Sequence, residues 1–229
     1  MSAKPNTKTN FFVDSILHIN AKIIFFLLLA VMTIVVIVFI EIPLSTVNDA
    51  AHQRLLSMGW LLFPHIIFAV TGFLIGPFQF SVRLRKKNVR LHRILGKIYV
   101  FSVFLAAIFA ILTNLKYPAP GQTATATVEA MTQASVWFIT TFMAWLTAMK
   151  RQITLHKIWM TRSYGVTFIF ITSRVILPFS FFSSMDASSF TTVLWFLIIV
   201  ALIVPEILLN WKEIFLSRRK AAVKMPAVE

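Results

Sequence analysis

The 229-residue chain contains no cysteine, only 8 acidic side chains and only 13% charged residues. Without cysteine there can be no disulfide, thiolate metal site, iron–sulfur cluster or cysteine nucleophile. Any metal or cofactor must therefore rest on His, Met, carboxylate or backbone groups. The scarcity of charge argues against a disordered chain, a soluble domain and a nucleic-acid binder, whose surfaces carry many more charged groups. A glycine-rich phosphate loop, HExxH, GxSxG and the paired carboxylates of hydrolases are also missing, so no enzyme class is indicated. What is present is apolar: 58% of residues are hydrophobic and 14% aromatic, with a mean hydropathy of +0.81. The 22 Lys and Arg residues raise the net charge to +14. Such a composition belongs in a lipid bilayer.

A membrane crossing needs about 20 mostly apolar residues. Six stretches qualify: Lys22–Ile40, Met58–Val82, Ile94–Leu115, Ala130–Met149, Thr161–Phe182 and Phe190–Asn210. The expected architecture is an all-α, six-span bundle forming a single membrane domain over residues 1–229. The first stretch reads as an uncleaved anchor, because its apolar run is long and Glu41-Ile-Pro-Leu44 offers no small-residue cleavage site. Tyr117-Pro-Ala-Pro-Gly121 separates spans three and four, and Ser183 to Ser189 separates spans five and six. With both termini in the cytoplasm, all of the 22 basic residues except Arg54, Lys116 and Arg174 fall on the inner side, as the retention of Lys and Arg there requires. The basicity is thus chiefly a topology signal, with contact to anionic headgroups as a secondary role.

One internal repeat stands out. Leu91-His-Arg-Ile-Leu-Gly-Lys-Ile-Tyr99 opens span three and Leu155-His-Lys-Ile-Trp-Met-Thr-Arg-Ser-Tyr164 opens span five. Both spans enter from the inner side, so His92 and His156 should lie at one depth, as two ligands of one metal centre would. Helical spacing adds two polar faces, since 18 residues complete five turns. On span two His65, Ala69, Gly72, Gly76, Gln79 and Arg83 share a face; on span five His156, Ser163, Thr167 and Arg174 share another. The two spans run in opposite directions, which sets His65 level with Arg174 and His156 level with Arg83. Arg174 reads as buried about 20 Å into its helix, where it needs an anion or water.

Each feature also has an inert reading. His92 and His156 can be interfacial histidines, and His65 after Pro64 can bond a backbone carbonyl. Gly72 and Gly76 can simply admit a neighbouring helix, with Pro77 adding a kink. Glu206 suits an ion pair with Lys97 or Arg162. Trp60, Trp137, Trp195 and Trp211 suit an interfacial aromatic belt.

Pro64-His65, Gly72, Gly76-Pro77, Arg83 and the following basic loop, the Leu91–Tyr99 segment, and His156 to Tyr164 with Arg174 resemble the bacterial membrane proteins grouped as domain of unknown function 2306. The likeness covers residues 58–178 and implies a multi-span protein of the plasma (inner) membrane, with no settled activity. A looser likeness is to diheme cytochrome b-561-type proteins, whose four-helix core holds haems between histidines on alternate helices. That likeness implies a b-type haem between His92 and His156 near the inner side, with Arg83 and Arg162 beside its propionates. It also implies electron exchange with a quinone or small carrier. Span four has no His, so a second haem on His65 lacks a partner unless Met131 or Met143 substitutes. Two other functions stay open. One is a small transporter or anion- and lipid-binding module with a cavity lined by His65, Gln79, Ser163, Thr167 and Arg174. The other is an accessory subunit without chemistry of its own.

Overall fold

The computed structural model describes residues 31–34, 50–118, 122–176 and 179–216. The chain divides into two compact units, Met1–His52 and Gln53–Glu229. In the first, residues 31–34 are helical, and the remainder of the expected first span lies outside the described residues. All regular structure among the described residues is helical: α1 (Ala50–Gln79), α2 (Val82–Lys87), α3 (Val89–Lys116), α4 (Ala124–Met149), α5 (Ile153–Ile176), α6 (Ser180–Ser183) and α7 (Ala187–Leu216).

Local capping chemistry fixes the helix ends. The Ser81 side chain accepts from Leu84 N at the start of α2, Asn88 from Leu91 N at α3, and Thr123 from Ala126 N at α4. Asp186 accepts from the amides of Ser188 and Ser189 at the head of α7. At the far end of α4, Gln152 N bonds Thr147 O and Arg151 N bonds Ala148 O, with Arg151 at φ 57. This left-handed closure normally employs glycine.

These caps move the expected boundaries, most of all in α5. Span five was expected over Thr161–Phe182, but the helix begins at Ile153 and carries Lys157 and Arg162 in its early turns. Arg174 consequently stands in the last turn of α5 rather than deep within a span. Its long side chain can reach the helix end, and the large burial cost expected for it falls away.

Among the described residues, three helices are long and apolar enough to cross a membrane: Leu56–Gln79 of α1, Val89–Lys116 of α3 and Ala187–Trp211 of α7. Helices α4 and α5 are more polar, and their arrangement explains how that is tolerated. They pack most extensively against each other, with α3 on α4 and α7 on both. A helix surrounded by protein need not match lipid, provided its polar groups find partners. Close approaches tighten the bundle. A Cβ at Gly76 would strike the Tyr164 ring, and one at Gly165 would stand 2.7 Å from the Ala201 carbonyl oxygen on α7.

Candidate functional site

At the centre of the bundle the polar groups of α3, α4 and α5 satisfy one another. Tyr99 Oη lies 2.8 Å from Ser163 Oγ and 3.3 Å from Thr167 Oγ1. Thr141 Oγ1 lies 2.6 Å from Ser163 Oγ, and Trp137 Nε1 donates to Thr167 Oγ1 at 2.9 Å. Tyr99, Trp137, Thr141, Ser163 and Thr167 are at most 1% exposed. Ser163 and Thr167 were expected to line a cavity with Gln79, but they are enclosed and hydrogen-bonded on every side that the network reaches. Trp137 does not belong to an interfacial belt either. It is fully buried, with its ring tilted against Phe170 at 4.6 Å between ring centroids.

The end of the bundle where α3 and α5 begin gathers the repeated histidines. His156 Nδ1 sits 2.9 Å from the Ala144 carbonyl oxygen of α4. A carbonyl can only accept, so Nδ1 carries a proton, and in the neutral ring the lone pair lies on Nε2. His92 is close enough to His156, Arg85 and Arg93 for their charges to act on it. Its Nδ1 is buried and has no hydrogen-bond partner among the described residues. Gln79, at the end of α1, is 8% exposed and extends over α3, where a Cβ at Gly96 would stand 3.1 Å from its Oε1. The Gln79 Nε2 donor is also buried and unpartnered among the described residues.

The expected arginines behave differently. Arg83 is exposed on α2. Arg162 donates through Nε to Glu206 Oε1 at 2.6 Å, and its guanidinium lies over the Trp159 ring. The ion pair suggested for Glu206 therefore forms with Arg162, which leaves that guanidinium already engaged.

At the opposite end of the bundle His65 repeats the His156 device, with Nδ1 2.9 Å from the Ala106 carbonyl oxygen of α3. Its ring meets Phe170 edge-on, and the Arg174 charge acts on it. Met131 and Met143 of α4 are part-buried, and Phe170 occupies the flank of the His65 ring. Trp60 Nε1 donates to Tyr117 Oη at 3.1 Å and Lys116 lies over the Trp60 ring, an interfacial aromatic cluster of the expected kind. Glu129, which the sequence places in a flank, is 3% exposed on α4. No motif marks Glu129, Thr141 or Trp137. Tyr99 had one signal, its place in the repeat, and the repeat's other tyrosine, Tyr164, likewise bonds across helices, to the Phe73 carbonyl oxygen at 3.1 Å.

A haem held between two imidazoles needs two rings at one level with Nε2 available, each oriented through Nδ1. His156 meets the orientation requirement through Ala144, whereas His92 is half-buried and its Nδ1 has no partner among the described residues, so only one of the two imidazoles is held in this way. A bare ion is less well served. Among the described residues no group of three or more His, Cys, Asp or Glu side chains is placed to hold a metal.

An all-helical bundle with several membrane-crossing helices, a bonded polar core and histidines at its ends defines an integral membrane protein. The model of the family described as "Predicted membrane protein (DUF2306)" matches residues 62–209, and the chain belongs to that family. The match extends the resemblance through most of α7. Neither a curated protein nor a solved structure matches the chain.

Proposed function

We propose that the protein is a six-span, inner-membrane electron carrier of bacterial type, with both termini cytoplasmic, holding one b-type haem between His92 and His156. The observation that carries this reading is the pairing of the two repeated histidines at the inner end, His156 oriented by the Ala144 carbonyl and the half-buried His92 near enough for their charges to interact. A haem bound there would supply reversible one-electron chemistry. The chain's own residues orient the imidazoles, exclude water through the Tyr99 network and offer Arg85 and Arg93 to the propionates. Arg162, already held by Glu206, and the exposed Arg83 contribute field rather than contact. A quinone or small carrier in the bilayer is the exchange partner. The orientation rests on the basic side chains from Arg83 to Lys97 and from Lys150 to Lys157, all at the His92 end.

The purified protein is expected to show a Soret band that is lost on His92→Ala or His156→Ala. A colourless preparation from haem-replete cells contradicts the reading. A second reading, an anion-binding module open to the outer side, draws on the proximity of His65 and Arg174. It requires Arg174→Ala to remove stabilisation by an added anion while the protein still folds.

A further inference from the structure

The two inner-end histidines differ in one respect that bears on ligands. His156 Nδ1 has the Ala144 carbonyl, whereas His92 Nδ1 is buried without a partner among the described residues. One turn further along α3, Gln79 is brought in over Gly96, and its Nε2 is the second buried donor left unpaired there. A buried donor that gives up water without gaining an acceptor costs about 1–3 kcal/mol, so the Gln79 amide, together with His92 in its Nδ1–H tautomer, points to an acceptor that the described residues do not supply. The surroundings specify its charge. Arg85 and Arg93 act on His92, and from residue 80 to residue 97 the sequence contains no acidic side chain. The depth specifies its setting. His92 lies three residues beyond the start of α3, about 5 Å along the axis from the end of that candidate span.

We propose that the inner end of the α1–α3 pair is a phosphate-binding site, in which His92 Nδ1–H and Gln79 Nε2–H donate to the oxygens of a phosphate while Arg85 and Arg93 balance its charge. The site goes beyond the haem reading and is compatible with it, since His92 would keep Nε2 free. The phosphate can come from a phospholipid headgroup or from free phosphate.

Full-length protein in neutral detergent is offered dioleoyl phosphatidylglycerol and, separately, dioleoylglycerol, which differs by the phosphoglycerol group, with retention read by native mass spectrometry. Phosphatidylglycerol should be retained and dioleoylglycerol lost. Gln79→Leu, which alters no charge, should lower phosphatidylglycerol retention about tenfold, the effect of losing a hydrogen bond to a charged group. Gln79→Glu, of equal volume but carrying a negative charge like that of phosphate, should abolish it. Displacement of the lipid by millimolar inorganic phosphate identifies free phosphate as the source, and persistence of the lipid identifies the headgroup. In the unmodified protein, nitrogen–phosphorus recoupling in solid-state NMR should place a phosphorus atom within about 4 Å of the His92 Nδ1, hydrogen-bonding range. Equal retention in both Gln79 variants, or the absence of that coupling, overturns the proposal. None of these readouts uses iron, so failure here leaves the haem reading standing, and a haem-free protein leaves this site standing.

Discussion

The inner helix pair α4 and α5 and the outer helices α1, α3 and α7 solve opposite problems. The outer helices meet lipid, and their candidate spans have mean hydropathies of 1.9, 2.3 and 2.6. Phe101, Phe196, Ile203 and Leu208 on that surface are more than half exposed. Helices α4 and α5 are less apolar, yet they hold Trp137, Thr141, Ser163 and Thr167 at the centre. Lipid is as apolar as leucine, so no hydrophobic force drives helices together inside a membrane. Association comes instead from close packing and interhelical hydrogen bonds. The polar residues that make α4 and α5 poor lipid neighbours are thus the ones that bind the bundle.

The comparison breaks most readily at Trp137. Trp137→Ala opens a cavity and strips Thr167 of its donor, and it should cost about 3–5 kcal/mol in reversible unfolding. Phe196→Ala on the lipid face should cost much less, and equal losses would refute the contrast. Gly165→Ala should cost about 1–3 kcal/mol, because its Cβ would meet the Ala201 backbone carbonyl, which cannot move aside. Tyr99→Phe should cost about 1 kcal/mol, in the range of interhelical hydrogen bonds within membranes, by leaving Ser163 and Thr167 short of a partner. Arg151→Gly should be neutral or raise the melting temperature slightly, since glycine suits the left-handed closure of α4.

The smallest effect lies outside the bundle. Hydrogen bonds from the Ser189 hydroxyl, the Ser189 amide and the Ser188 amide hold the exposed Asp186 carboxyl below the usual carboxylate range. A lowered folded-state value means that this cap stabilises the folded protein above the unfolded carboxylate range and is lost as pH falls through the folded one. A pH titration of thermal stability should therefore show a slight decline on the acid side that Asp186→Asn removes.

The apolar runs of α1, α3 and α7 were legible in the sequence because lipid contact imposes composition directly. Gly76 and Pro77 could likewise be read as features of close packing. The start of α5 was not legible, since a charge near a membrane helix looks like a loop until its partner is known, and Arg162 finds Glu206 44 residues away. Trp137 resembled an interfacial residue because its indole donor needs an acceptor, and Thr167 supplies one only after α4 and α5 pair. The Tyr99 network has the same character, joining residues 64 and 68 positions apart. The histidine pair was visible as a repeat, whereas the difference between their Nδ1 environments depends on which helix faces each ring.

The central claim, a closed polar core inside an apolar shell, can be tested cleanly because the chain has no cysteine of its own. Single spin labels at Ser163→Cys, Thr141→Cys, Phe196→Cys and Ile203→Cys, in protein reconstituted into lipid, report collision with oxygen dissolved in the bilayer and with a water-soluble nickel chelate. Labels at 196 and 203 should meet oxygen freely, while those at 141 and 163 should be shielded from both reagents. Access of the nickel chelate to position 163 would contradict the account, because the hydroxyl network would then line water instead of holding helices together.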